Sequence, residues 1–174
     1  MLNELRTERL FIRRVKVADK QSIRDMWAAL AQTPYAQYDK PNPLDEDTVT
    51  RRVEHWASCH DSDAHLFLSV LLGERVIGYI ALHRRGNSYE IGYGFHPAFH
   101  NKGYARESIG AVLRNMKSHG TDRFEAGTAL QNTPSVRLLT ALGFTLIRTE
   151  KVSFCRDENG SDIYFDGGIF ELIL

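Results

Sequence analysis

The sequence predicts a mixed α+β protein built on a single sheet, and three features of the chain carry that reading. Seven short stretches alternate apolar and polar residues or run apolar throughout, which is strand patterning. Four longer stretches repeat their apolar residues at helical spacing. The two kinds follow the order β-α-α-β-β-β-α-β-α-β-β. That order sets hairpins early and a β-α-β crossover later, so parallel and antiparallel pairs must share one sheet.

Arg9 to Val15 reads as the first strand. Val17 to Leu30 is a helix with Ala18, Ile23, Met26, Trp27 and Leu30 on one stripe, and Asp19 is placed to cap its start. Three prolines between Pro34 and Pro43 make a loop between helices rather than a domain boundary. Asp45 to Cys59 is the second helix, with an acidic first turn and a stripe of Val49, Val53 and Trp56. His65 to Leu72 and Val76 to Arg84 are strands joined by the turn Gly73-Glu74-Arg75. Gly86-Asn87 turns the chain into a strand from Tyr89 to His96. Gly103 to His119 is a helix whose buried stripe is Ala105, Ile109, Val112, Leu113 and Met116, and Gly120 ends it. Phe124 to Leu130 is a strand, parallel to Tyr89–His96 through the helical crossover. Asn132 caps a helix that runs to Leu142 and stops at Gly143. Phe144 to Phe154 is a strand, Asn159-Gly160 a hairpin turn, Asp166-Gly167-Gly168 a bulge or bend, and Ile169 to Leu174 the last strand.

A chain of 174 residues is one domain's length, here taken as 1–174. Lys plus Arg and Asp plus Glu both total 22, so no net basic field favours nucleic acid or a membrane surface. The 2 cysteines, Cys59 and Cys155, form no metal or disulfide framework. Seven histidines (His55, His60, His65, His83, His96, His100, His119) are scattered, so no metal is expected. The N-terminal stretch is charged from its fourth residue, and no apolar run approaches the ~20 residues that span a bilayer. The expected address is the cytoplasm. Exposed sheet ends leave a homodimer open.

The stretch Glu90 to Glu107, EIGYGFHPAFHNKGYARE, carries the most chemistry. A strand ends at His96-Pro97, and a glycine-containing loop then enters a helix. The start of a helix offers unpaired N–H groups and roughly half a positive charge. Gly103 lets backbone approach a ligand, Ala105 keeps bulk away, and His100, Lys102 and Arg106 add positive charge. From local physics alone this is either a pyrophosphate cradle or a plain strand-to-helix connection. Neither GxxxxGK[ST] nor GxGxxG is present.

HNKGYA resembles the [QR]xxGx[GA] loop of the GNAT superfamily of N-acetyltransferases, which holds the pyrophosphate of acetyl-CoA. TERLFIRRV is similar to the TERLxLR opening of its RimJ/RimL-like branch, the ribosomal-protein-alanine acetyltransferase type. EIGYGFHPAFHNKGYA resembles that branch's EIGYWxxPxxxGKGYA, and NTPSVRLLTALGF its NxxSxRxxxxLGF. The resemblance covers most of the chain in the right order. It implies a twisted, mostly antiparallel sheet of about seven strands, helices on both faces, and two parallel strands splayed at the acetyl-CoA site. It further implies that His100, Asn101, Lys102, Gly103, Tyr104, Ala105 and Arg106 cradle the cofactor's phosphates, and that Phe95 and His96 present N–H groups to the acetyl oxygen. Asn132 would hold the pantetheine arm as well as cap its helix. Ser135 stands where this branch has a catalytic serine, and Leu139 where many acetyltransferases have a tyrosine.

Three departures stand out. His100 replaces Gln or Arg, so cofactor affinity should depend on pH in the histidine range. Asn101 stands where Gly is frequent, and Asn tolerates unusual backbone angles. Gly94 replaces a bulky aromatic, which should leave the crevice roomier.

Acetyl transfer to an amine requires the ammonium to lose a proton, the oxyanion to be held and the thiolate to be stabilised. Deprotonation at pH 7 costs about 1.4 kcal/mol for an α-amine and about 4.6 kcal/mol for a lysine. A chain without an obvious strong base therefore suits an α-amine. Strand parity places Glu90, Gly92, Gly94 and His96 along one face with a bare channel between the two titratable ends. Glu90 is the candidate base, directly or through water, or else a solvated carboxylate. Tyr35 and Tyr38 line the acceptor site or pack their loop. Trp27, Trp56 and Phe144 are core or groove wall. The expected activity is direct transfer to a protein N-terminal α-amine or small amine. The alternatives are an aminoglycoside or polyamine acceptor, for which Asp39, Asp45, Glu46 and Asp47 would supply an acidic groove, and a non-catalytic CoA-binding module.

Overall fold

The computed structural model describes residues 4–59, 62–156 and 158–174; His60 lies outside them. Eight strands form one sheet: β1 (Glu4–Arg6), β2 (Phe11–Arg14), β3 (His65–Leu72), β4 (Arg75–Arg85), β5 (Ser88–Phe95), β6 (Arg123–Ala129), β7 (Thr145–Arg156) and β8 (Asp162–Ile173). Their spatial order is β1-β2-β3-β4-β5-β6-β8-β7. Every neighbouring pair is antiparallel except β5 with β6. Among the described residues four α-helices complete the fold: α1 (Lys20–Ala31), α2 (Glu46–Ser58), α3 (Tyr104–Ser118) and α4 (Thr133–Ala141). None of the described helices is long and apolar enough to cross a membrane.

Helices cover both faces, and the period-2 register of the strands sorts the core between them. Leu66, Leu82 and Ile91 stand side by side across β3, β4 and β5. They pack with Ile109, Val112, Leu113 and Met116 of α3 and Leu139 of α4. Phe67 and Ala81, one residue along, face the other way and join Ile23 and Trp27 of α1 and Val49 and Val53 of α2. Each such side chain, fully buried, contributes about 1.5–3 kcal/mol of transfer free energy. Trp27 and Phe144 are core, whereas Trp56 is half-buried and stacks on Phe67 at 4.9 Å.

Four details differ from the sequence reading. Glu4–Arg6 adds an eighth strand too short to show a pattern. The last strand starts at Asp162, so Gly167 and Gly168 lie inside it rather than before it. A Cβ on Gly168 would stand 2.6 Å from Leu130 and 2.9 Å from Phe170, so close packing explains the glycine. The irregularities sit instead in β7, at Leu146/Arg148 and Val152/Cys155, and in β3, at Val70/Leu71.

The fourth concerns Asp19, whose side chain does not cap α1. The carboxylate turns back to accept from both Arg13 guanidinium nitrogens at 2.7 and 2.8 Å, from the Lys16 N–H at 2.9 Å and from Ser69 Oγ at 2.7 Å. It ties β2, β3 and the start of α1 together. Burial alone would raise its pKa, but the hydrogen bonds from Arg13, Lys16 and Ser69 and the charge of Arg13 outweigh burial and hold it below the ordinary range. A group depressed on folding stabilises fully above its unfolded pKa, near 3.9, and loses that contribution as pH falls through the folded value. Asp19→Asn leaves a buried guanidinium uncompensated. Urea unfolding at pH 7 is expected to show a loss of about 3–5 kcal/mol, with a weaker acid dependence below pH 4 than in the parent.

A candidate active site between two diverging strands

β5 and β6 pair through two rungs only, Tyr89 with Phe124 and Glu90 with Glu125. Beyond them β5 stays on β4 as far as Phe95, and β6 stays on β8 as far as Ala129. The gap opens into a cleft of about 1270 Å³, lined by both strands, the loop before α3, the start of α4 and the proline-rich loop. A pocket for one small ligand is usually roughly 300–1,000 Å³, so this one has room for two reactants to meet.

The loop at one end is held in shape by its own chain. His96 Nδ1 accepts from the Ala98 N–H at 3.2 Å, starting a short 3-10 turn over Pro97–Phe99. Asn101 follows at φ 59°, the one non-glycine residue with positive φ among the described residues, in line with the tolerance expected of Asn. Gly103 at φ 80° precedes Tyr104, the first residue of α3. Lys102 folds back, its Nζ donating to the Ala98 carbonyl at 3.1 Å. Tyr104, Ala105 and the exposed Arg106 line the cleft from the first turn of α3. His100 Nε2 lies 2.7 Å from the Phe95 carbonyl oxygen, which can only accept, so the ring donates from Nε2. With that tautomer, Nδ1 can donate only when the ring is protonated.

A clamp from the N-terminal segment braces this loop. Glu107 accepts from Thr7 Oγ1 at 2.6 Å, from the Arg9 N–H at 3.0 Å and from Arg9 Nε at 2.7 Å. Arg9 Nη1 donates to the Lys102 carbonyl at 3.0 Å, and the guanidinium lies 4.6 Å from the Tyr104 ring centroid. Burial opposes the charge on Glu107, yet the hydrogen bonds from Thr7 and Arg9 and the charge of Arg9 hold its pKa below the usual range. The sequence showed Thr7 and Arg9 only as part of a resemblance.

At the start of α4, Asn132 Oδ1 accepts from the Ser135 N–H at 3.4 Å, the cap expected of it. Ser135 Oγ and the Tyr93 hydroxyl are 2.8 Å apart. Tyr93 lies on β5, and burial pushes its phenol up to about 12, with the Ser135 hydrogen bond a smaller opposing effect. The partnership was missed, although parity already put Tyr93 on the face that the Ser135 helix must cover.

His96 gives its N–H to the Ile77 carbonyl at 2.9 Å. That narrows the expected pair of oxyanion donors to one. Alternate residues of an antiparallel strand point opposite ways, so the Phe95 N–H faces the gap from which β6 has withdrawn. Glu90 stands at the foot of the cleft, with Arg85 Nη2 at 2.9 Å. It lies five residues from Phe95, roughly 16 Å at ~3.3 Å per residue, so it reaches the upper cleft only through a chain of waters.

The far wall corrects another expectation. Gly92 has nothing within 4 Å of its would-be Cβ, but one on Gly94 would stand 2.6 Å from the Tyr79 ring. Tyr79 fills the space that Gly94 vacates, so the crevice is not roomier there. Tyr35, Tyr38 and Asp39 line the cleft from the proline-rich loop. Tyr38 also packs edge-on against Phe165 at 5.7 Å, so it lines the cleft and pins its loop together. Asp45 caps α2 through the Thr48 N–H at 2.9 Å, and Glu46 pairs with Lys20 and Arg24. Those two are helix-start residues and leave Asp39 as the acid of that group in the cleft. Among the described residues no group of three or more His, Cys, Asp or Glu could hold a metal ion.

Known proteins resemble this chain in sequence and in fold. Over 71 residues the chain is 35% identical to the uncharacterized N-acetyltransferase YnaD of Bacillus subtilis (strain 168). That match spans 39% of this chain and 42% of the relative, less than half the relative's length. The fold superposes on ribosomal-protein-S5-alanine acetyltransferase from Vibrio fischeri with a TM-score of 0.80 at 18% identity, covering 98% of this chain and 96% of that one. It superposes on an acetyl transfer enzyme from Salmonella typhimurium, which modifies the N-terminal serine of 50S ribosomal subunit protein L7/L12, with a TM-score of 0.83 at 15% identity, covering 97% and 96%. The family model of the acetyltransferase (GNAT) domain matches residues 9–145, from the clamp arginine to the first residue of β7, and the chain belongs to that family.

Proposed function

We propose that this chain, acting as a single domain over 1–174, transfers the acetyl group of acetyl-CoA directly to a primary amine. The acceptor we favour is a protein N-terminal α-amine of the ribosomal-protein type or a small amine, which places the chain in the RimJ/RimL-like branch. The hydrogen bond between Tyr93 and Ser135, which line the cleft together with Phe95, carries this reading. By their names one of the solved structures above is a ribosomal-protein-S5-alanine acetyltransferase and the other modifies the N-terminal serine of a ribosomal protein, which supports the acceptor class. A polyamine or aminoglycoside acceptor is the second reading, favoured by Asp39 in the cleft wall.

The loop residues fit a pyrophosphate. Positive φ at Asn101 and Gly103 turns backbone toward the cleft, and the first turn of α3 offers N–H groups and a positive dipole end. In this reading His100 to Arg106 hold the phosphates, and Asn132 holds the pantetheine arm beside its capping bond. Acetyl-CoA supplies the activated acetyl group. The Phe95 N–H receives the negative charge that develops on the acetyl oxygen. Ser135 serves the departing sulfur as hydrogen-bond donor, and Tyr93 orients Ser135. A phenol near 12 does not give up its proton to a thiolate whose own pKa lies near ~8.5. It stays neutral and donates to Ser135 Oγ, which turns the serine O–H toward the sulfur, and the dipole at the start of α4 adds to the effect. Glu90, through water, drains the ammonium proton toward solvent.

Isothermal titration with acetyl-CoA is expected to show saturable binding that Gly103→Val weakens at least about 10-fold, because φ 80° strains a β-branched residue and its Cβ would stand 3.3 Å from Arg9 Nη2, against the clamp that braces the loop. No binding at millimolar acetyl-CoA overturns the proposal. Ser135→Ala and Tyr93→Phe should each lower kcat by about 10- to 100-fold with acetyl-CoA affinity unchanged, as loss of a hydrogen bond to a charged group predicts. The double variant should be little worse than the worse single one. A spectrophotometric titration of the parent minus Tyr93→Phe should show one phenol with its midpoint at about 12.

A further inference from the structure

Tyr79 and Asp39 have no part in the mechanism above, yet both line its cleft. Tyr79 pairs with Gly94 across β4 and β5, and its hydroxyl oxygen lies 3.0 Å from where a Cβ on Gly94 would be. Gly94 separates Tyr93 from Phe95, so this hydroxyl stands level with the groups assigned to the sulfur and the acetyl oxygen. It approaches from the opposite face of the strand. An amine meeting the acetyl group from that side meets Tyr79.

Asp39 acts on this hydroxyl through its charge. Burial pushes the Tyr79 phenol up first, the Trp27 indole opposes it, and the Asp39 carboxylate then adds to the rise, partly offset by Arg52. Arg52 itself is engaged elsewhere: it donates to Asn42 Oδ1 at 3.1 Å and lies over the Trp27 ring at 5.3 Å. Asp39 is open to solvent by area but sits in a concave wall, and this surrounding protein pushes its carboxyl above the usual range. It accepts from the Lys40 N–H at 2.8 Å. Asp19, Glu46, Glu90 and Glu107 each pair with a basic side chain, but among the described residues Asp39 makes no ion pair. A carboxylate that its surroundings penalise, and that no cation neutralises, gains when a cationic ligand arrives. The cleft lining carries Arg106 at the loop end and Asp39, Lys40, Glu90 and Glu150 away from it, so acids outnumber bases at the end where Asp39 stands.

Beside Asp39 three rings make a wall. Phe165 of β8 meets Tyr38 at 5.7 Å and Phe154 of β7 at 5.6 Å, and all three line the cleft. We propose that Asp39 and Tyr79 seat the acceptor's ammonium group, and that Tyr38, Phe154 and Phe165 take an apolar or aromatic substituent on the same molecule. The acceptor is thus a primary amine carried next to a ring or branched apolar group. The role of the seat in acetyl transfer rests on the reading above, but its existence is a matter of binding and is tested separately.

The test is isothermal titration of the full chain with 2-phenylethylamine, ethylamine and 2-phenylethanol, each with and without CoA. Phenylethylamine should bind at least 10-fold more tightly than ethylamine. Asp39→Asn should weaken it at least 10-fold and Tyr79→Phe several-fold, while phenylethanol ignores Asp39→Asn and CoA binds both variants as it binds the parent. The seat is overturned if phenylethylamine gives no heat at millimolar concentration, if Asp39→Asn binds it within twofold of the parent, or if ring-bearing and ringless amines bind alike. Failure of CoA to bind the parent would sink the acetyl-transfer reading, and the titrations without CoA would still decide the seat.

Discussion

Two neighbouring strands can part only if each keeps its backbone satisfied without the other, and this requirement shapes the molecule. β5 and β6 separate after Glu90 and Glu125 because each retains an outer partner, β4 on one side and β8 on the other. The groups left on the inner edge of β5 must then find other uses. The Phe95 carbonyl takes the His100 ring, and the N–H of the same residue faces the cleft. Chemistry concentrates in the gap because open backbone hydrogen-bonding capacity is scarce anywhere else in a sheet interior.

A gap of this kind has to be held open at a fixed width, and the chain does so with side chains from distant segments. Arg9 and Thr7 reach across to Glu107 and set the first turn of α3 against the β1–β2 connection. Asp19 does similar work on the other face, between β2, β3 and α1. Tyr79 replaces bulk that β5 lacks at Gly94, so the two residues are one packing decision made at two positions. Each device is electrostatically or sterically specific, and together they leave a cleft whose walls are rigid where the reaction is placed.

Local signals carried much of this to the reader of the sequence. Turn glycines at 73, 86, 120, 143 and 160 all have positive φ, and the parallel pairing of Tyr89–His96 with Phe124–Leu130 follows from a single crossover. Asn132 and Asn101 behave as their chemistry predicts. What stayed hidden depends on pairs far apart in sequence. Tyr93 with Ser135 spans 42 residues and Thr7 with Glu107 spans 100, and neither leaves a periodic trace. Gly94 was readable as a missing side chain but not as a space already filled, because only the register of β4 on β5 reveals Tyr79 there. Asp19 was misjudged for the same reason, since a cap and a buried ion pair begin with the same residue type before a helix.

The strand order β6-β8-β7 has a consequence for how the protein comes into being. β7 leaves the ribosome before β8 but cannot join the sheet, because the place beside β6 belongs to the later strand. Until β8 emerges, β6 presents a bare edge and the apolar residues Phe170 and Leu172 have yet to enter the core. Domains fold as units during synthesis, and nonlocal strand pairing is slow. The half of the cleft that β6 and β8 build is therefore the last to be made, and a nascent chain halted before Asp162 would hold the phosphate loop without the wall that faces it.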